Sequence, residues 1–208
     1  MAVTFTDTNV SNPSGAQGAY PLSLTNGHEG LIADLQAYVS RSYTNESGAV
    51  IPYGHAVIVD SAATSGLGAK LPAGAAATDI LGIAVDSNVF ENGASTYTAT
   101  PTNKTSDGLI GYPDKQMVNV LSKGVVFVFT TQAVVLGDAV RIYHTDGAHA
   151  RMGGGHADYS YAGRFAKDAE AGKTFQVTAG ARWLSAASAG SIALLEIDIP
   201  ALTVTADT

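Results

Sequence analysis

The run from Gln116 to Val140 constrains this chain most. It reads Gln-Met-Val-Asn-Val-Leu-Ser-Lys-Gly-Val-Val-Phe-Val-Phe-Thr-Thr-Gln-Ala-Val-Val-Leu-Gly-Asp-Ala-Val, the densest collection of β-branched and aromatic residues in the sequence. Such side chains suit a pleated, half-buried surface and lose χ1 freedom in a helix. The spacing predicts three strands, near Met117–Leu121, Val125–Thr130 and Ala139–Tyr143. Gly124 between the first two either turns the chain or relaxes it into a bulge. Val125, Phe127 and Phe129 fall on one face of the middle strand, and Val126, Val128 and Thr130 on the other. Both faces are apolar, which places this segment inside a sandwich or barrel, since a surface hairpin would show one polar face.

Composition agrees. Of 208 residues 46% are hydrophobic and only 14% charged, well under the usual ~25%. The 23 glycines and 11 Lys+Arg suit short strands joined by tight turns. The expected fold is all-β: a single barrel or sandwich-like body with an extended N-terminal arm and at most one short helix. The expected divisions are an arm over residues 1–48, a β domain over 49–200 and a short tail over 201–208.

The net charge of −7 comes without any Lys/Arg cluster. Nucleic acid is therefore not expected as a partner, because tracking phosphates needs several cations on one face. Without cysteine, disulfide and thiolate chemistry are excluded. No stretch nears the ~18 apolar residues of a spanning helix, and no secretion signal is read at the N-terminus, so no membrane role is expected.

Residues 1–30 are polar and turn-rich, with Asn12-Pro13-Ser14-Gly15 and Thr25-Asn26-Gly27 as turn signals. Leu31, Leu35 and Tyr38 carry the one helical spacing, extended by Ile32 and Val39. A short helix over Leu31–Tyr43 and an irregular connector both fit it. Further strands are expected at Ala56–Val59, Ile80–Val85, Thr96–Ala99, Tyr161–Ala166, Thr174–Val177, Ala181–Leu184 and Ser191–Ile199. Gly82 is expected at a bulge or a close approach.

Two words recur. Gly54-His-Ala56-Val57 matches Gly137-Asp-Ala139-Val140, and Leu81-Gly82-Ile83-Ala84 matches Ala162-Gly163-Arg164-Phe165-Ala166 with a one-residue shift. The glycine-to-glycine intervals are similar. A β unit used twice predicts a body of two similar halves; chance recurrence in a Gly/Ala/Val-rich chain is the competing explanation.

No catalytic motif appears: no nucleophile elbow, phosphate loop or His-Glu-x-x-His. His144, His149 and His156 lie near Asp146 and Asp158, but their spacing matches no metal-ligand pattern. The tri-glycine Gly153–Gly155 between them reads as a loop, so no metal and no cofactor is expected. Glu196 and Asp198 share one strand face and read as solvated charges rather than an acid/base pair. Trp183 and Tyr112 could stack on a sugar, although a lone Trp in a β protein usually belongs to the core.

The series Gly30-Leu-Ile-Ala33-Asp34, Ser42-Tyr43-x-Asn45-Glu46 and Ile51-Pro52-Tyr53-Gly54-His-Ala56-Val57 resembles the opening of the structural cement, or head decoration, proteins of tailed bacteriophages. So do Ile80-Leu-Gly82-Ile-Ala, Val118-x-Val120-x-x-x-Gly124, Gly137-Asp138-Ala-Val140, Gly163-Arg-Phe165 and Ala181-x-Trp183 before Ala189-Gly190. The resemblance covers residues 28–199, and the loop over Asn88–Asp107 looks longer than that pattern. It implies a virion protein without enzymatic activity, bound to the major capsid protein on the outer face of the capsid at subunit junctions. It also implies a homo-oligomer, often a trimer. Tyr20, Leu22, Leu24, Leu31 and Leu35 are then the apolar anchors of an arm that orders on the shell. The competing function is a carbohydrate-binding or host-adhesion β module using Trp183; a hydrolase with an Asp198 carboxylate is a third.

Overall fold

The computed structural model describes residues 27–34, 38–75, 78–86, 105, 109–145 and 162–207. In chain order the strands are β1 (Val39–Asn45), β2 (Ile51–Pro52), β3 (Ala56–Asp60), β4 (Gly68–Lys70), β5 (Ile80–Ala84), β6 (Gly111–Tyr112), β7 (Met117–Thr130), β8 (Val140–Tyr143), β9 (Phe165–Ala166), β10 (Thr174–Ala179), β11 (Ala181–Trp183), β12 (Ser191–Asp198) and β13 (Thr203–Ala206). A single 3-10 turn at Ile199–Ala201 is the one helical piece among the described residues.

β7 is the spine. Its first half closes a five-stranded ring, β1–β4–β3–β5–β7 and back to β1. Every step of the ring is antiparallel except β1 to β4. Its second half carries β12 along one edge, from Lys123↔Asp198 to Thr130↔Ser191. At Thr130 it also touches β9, which leads through β8 and β10 to β13. The result is a closed, barrel-like sheet with additional strands. Two of the three strands expected over Met117–Tyr143 are therefore one 14-residue strand. Of the two fates open to Gly124, the bulge is the one adopted. Val39 faces Lys123 while Ser40 faces Leu121, which leaves Ser122 as the extra residue. The bulge also redirects side chains. Val118 and Val120 feed one buried cluster with Ile51, Tyr53, Val57 and Tyr112. Leu121, Val126 and Val128 feed another with Ile83, Ile142, Phe165, Trp183 and Leu195. One strand thus serves two cores, and each fully buried large apolar side chain stabilises by about 1.5–3 kcal/mol.

No helix forms within the described part of Leu31–Tyr43. Ile32 bridges antiparallel to Val126, and Val39–Asn45 is strand β1. Positions 35–37, Leu35 among them, lie outside the described residues. The helical stripe was short, and an unpaired edge of β7 outweighs a marginal helix. The closing segment is paired too: Thr203–Ala206 lies antiparallel to β10. The strand expected at Thr96–Ala99 lies outside the described residues.

The two recurring words occupy matching places. β3, opened by Gly54-x-Ala56-Val57, pairs antiparallel with β5 of the Gly82 word. β8, opened by Gly137-x-Ala139-Val140, pairs antiparallel with β9 of the Gly163 word. Gly82 combines both roles expected of it. Its φ is +151° and a Cβ there would sit 2.0 Å from the Leu121 carbonyl oxygen. The β3–β5 register also shifts beside it, between Val57 and Ile58.

Candidate functional site

The edge of β7 opposite β12 is taken by the segment 27–34. The Gly30 N–H donates to the Phe127 carbonyl at 2.8 Å, the Phe127 N–H to the Leu31 carbonyl at 2.9 Å, and the Ala33 N–H to the Val125 carbonyl at 2.8 Å. Gly27 lies close against the Phe127 ring, where a Cβ would come within 2.3 Å. This strap is therefore built into the sheet. Leu31, one of the five expected anchors, is half-buried in it. The other four, Tyr20, Leu22, Leu24 and Leu35, lie outside the described residues.

Beneath the strap sits a polar cluster that the sequence did not reveal. Glu29 Oε1 is 3.6 Å from Nε2 of the fully buried His55. His55 Nδ1 is 2.9 Å from the Ala162 carbonyl oxygen. Arg164, also buried, lies over the Phe129 ring at 4.2 Å from its centre, a cation–π contact. Burial pushes the Glu29 carboxyl up to about 7, with the Arg164 charge pulling the other way. At the rim, His28 Nε2 and Asp86 Oδ2 are 2.6 Å apart. Three segments far apart in sequence meet here: the strap, the turn before β3 and the turn before β9. Neither spacing nor motif connects Glu29, His55 and Arg164 in the sequence. Only the glycines beside them, Gly30, Gly54 and Gly163, gave a signal, and all three have positive φ.

The residues weighed for catalysis or ligand binding are engaged elsewhere. Trp183 is 2% exposed, stacks edge-on to Phe165 and donates from Nε1 to the Ala139 carbonyl at 3.1 Å. Tyr112 is 1% exposed and its hydroxyl donates to the Val85 carbonyl at 2.6 Å. Neither ring can stack on a sugar from these positions. Glu196 is paired with Arg182 and Asp198 with Lys123. With Gly180 and Ala181, Arg182, Glu196 and Asp198 line a shallow open hollow of about 280 Å³. His144 is buried against Phe175, ring centres 4.5 Å apart. Its partners in the histidine cluster, His149, His156, Asp146 and Asp158, lie outside the described residues. Among the described residues, no group of three His, Asp or Glu could hold a metal ion.

The sequence profile of the structural cement protein family (E217 gp24/Pam3 gp6) matches residues 16–198. In fold, the chain resembles one from the capsid of Myoviridae Phage XM1, at 16% identity and a TM-score of 0.57. That alignment covers 88% of this chain and 98% of the other. No curated protein sequence matches the chain. The matched region takes in the strap and twelve of the thirteen strands. On that ground this chain belongs to the structural cement family of bacteriophage capsids, and it is a virion protein that stabilises the capsid to which it binds.

Proposed function

We propose that the protein lies on the outer surface of the shell where capsid subunits meet, contacts the major capsid protein, and opposes separation of neighbouring subunits without transforming any molecule. It acts as a homo-oligomer, with a trimer as the expected state. Tyr20, Leu22, Leu24, Leu31 and Leu35 are the apolar contacts of its N-terminal region with the shell. The observation that carries this reading is the family match along almost the whole body. It is supported by a body whose aromatic and charged side chains are largely engaged in internal contacts, as a rigid platform requires.

The physics is additive. Interfaces of ~800 Å² per partner suffice for specific association. Several identical grips on one shell raise overall affinity by ~10²–10⁴-fold over a single contact. A protein that binds the assembled shell and not its separated subunits stabilises the shell by mass action. The test adds purified protein to heads assembled without it and follows occupancy and heat resistance, alongside mass by light scattering. Saturable decoration that raises the temperature of head disruption supports the reading. Decoration without any gain in heat resistance refutes it.

A further inference from the structure

β1 presents an open strand edge. β7 pairs with it from Val39 to Thr44, but β4 joins its other edge only at Thr44↔Gly68 and Asn45↔Ala69. Hydrogen bonding alternates along an antiparallel ladder. The Asn45 N–H donates to the Gln116 carbonyl across to β7, while the Thr44 N–H donates to the Leu67 carbonyl on the other side. Arg41 and Tyr43 therefore bond towards β7, and Ser40 and Ser42 turn their N–H and C=O groups outward. Two further contacts fit this register. The Ser42 hydroxyl donates to Asn119 Oδ1 at 3.2 Å, and Thr44 Oγ1 meets Met117 Sδ at 3.7 Å. Both belong to the close, non-bonded pairs of the ladder. Residues Val39–Ser42 are all exposed, and no described strand covers that edge.

Two more features mark it. Exposed large apolar side chains gather round β1: Tyr38, Val39, Leu67 and Met117 are four of seven in the described structure. At its centre stands Arg41. The other described cations are each engaged, whether with a carboxylate or, for Arg164, over Phe129. Arg41 has no such partner among the described residues, in a chain of net charge −7.

We propose that the Val39–Tyr43 edge receives an extended segment of a capsid subunit as an added strand, with a carboxylate of that segment opposite Arg41. This rests on the capsid-binding reading above and names the element that grips. Strand addition satisfies the four outward groups of Ser40 and Ser42, and the exposed apolar neighbours offer contacts to the side chains of the added strand. A second copy of this chain fits less well. Two-fold pairing that bonds Ser40 to Ser42 sets Arg41 against Arg41 in a close pair, and like charges placed so repel.

The test is residue-resolved amide hydrogen exchange of the full-length protein, free and bound to heads. On heads, the Ser40 and Ser42 amides become protected, while those of Arg41 and Tyr43 are protected in both states. Arg41→Glu raises the concentration for half-occupancy by roughly tenfold, and Arg41→Lys by much less. Full decoration with Ser40 and Ser42 still exchanging freely overturns the proposal and leaves the capsid-binding reading intact. Protection that appears in the free protein and grows with its concentration also overturns it, in favour of a second copy. Wild-type protein that leaves heads bare removes both.

Discussion

Glu29 and His55 approach to 3.6 Å inside the body, although 26 positions separate them and one lies in the strap while the other lies in the turn before β3. The carboxylate is 20% exposed, and Oε1 itself is shut from solvent without a hydrogen-bond partner. The strap is thus held by a backbone ladder to β7 and weighed against by a poorly solvated acid.

That balance predicts a pH response. The folded protein holds Glu29 protonated up to about 7, against 4.5 for the ordinary group. Between those values the folded state binds more protons than the unfolded chain, so this group's contribution to stability falls as pH rises and is fully unfavourable above 7. Each unit of difference is about 1.4 kcal/mol, which puts the effect on the order of 3 kcal/mol. Glu29→Gln should therefore raise the denaturation midpoint at pH 8 and change it little at pH 4. Urea titrations at both values check this; an equal effect at the two would show that the carboxyl charge is not what matters.

Gly82 is expected to tolerate nothing larger. A Cβ would stand 2.0 Å from the Leu121 oxygen and 2.8 Å from the Leu121 carbonyl carbon, and a φ of +151° is strained for any L residue. Both obstacles are backbone, so no side chain can swing aside. Gly82→Ala should cost on the order of 3 kcal/mol or prevent folding. Gly74→Ala serves as a comparison, because its φ is also positive, at +81°, but nothing lies within 4 Å. Thermal melts of the pair should show a much smaller loss at position 74, where no atom is struck and the left-handed region costs an L residue less.

These two sites show how far the sequence could be read. Gly82 stood out because a glycine inside an Ile/Val run needs a reason, and only two were available. The all-β class followed likewise from Val125–Thr130 and the scarcity of charge. The recurring Gly-x-Ala-Val words each open a strand, β3 and β8, as their spacing predicts. Position 124 was harder. A glycine between two apolar runs turns or bulges according to what lies alongside, and Ser40 and Asp198, the residues that flank that bulge, are far away in sequence. The strap was hidden for the same reason. Leu31, Leu35 and Tyr38 carry a helical spacing, but β7 offers an edge, and pairing across about ninety residues overrides a weak local preference. The Glu29–His55–Arg164 cluster has no local signature, since its members meet only once the ring has closed.

Trp183 was the residue most open to a surface role, and its burial turns that into a stability prediction. It fills the core between Phe165 and Leu195, so Trp183→Ala should destabilise by about 3–5 kcal/mol through lost burial and the remaining cavity. Trp183→Phe should cost less, while leaving the Ala139 carbonyl without its indole donor. A glycan array probed with the folded wild-type protein should show no signal dependent on this residue. A glycan signal that vanished in Trp183→Phe with stability unchanged would put the ring at a surface after all.

The acid limb should belong to His144. Its ring is 1% exposed, packs against Phe175, and leaves both nitrogens without hydrogen-bond partners. Burial lowers its proton affinity, with its own backbone and the Asp207 carboxylate pulling the other way. The unfolded chain takes up a proton near the ordinary 6.5, and the folded chain does so only at lower pH. Stability from this group is therefore complete above 6.5 and is lost as pH falls below it, the reverse of the Glu29 trend. The two slopes oppose each other just below 6.5 and can be separated by substitution. His144→Phe keeps an aromatic ring against Phe175 and removes the titration, so it should flatten the loss of stability as pH falls below 6.5 while leaving the Glu29 slope up to about pH 7 in place. Chemical denaturation across that range, with Glu29→Gln in parallel, decides the assignment. An unchanged acid limb in His144→Phe would move it to another group.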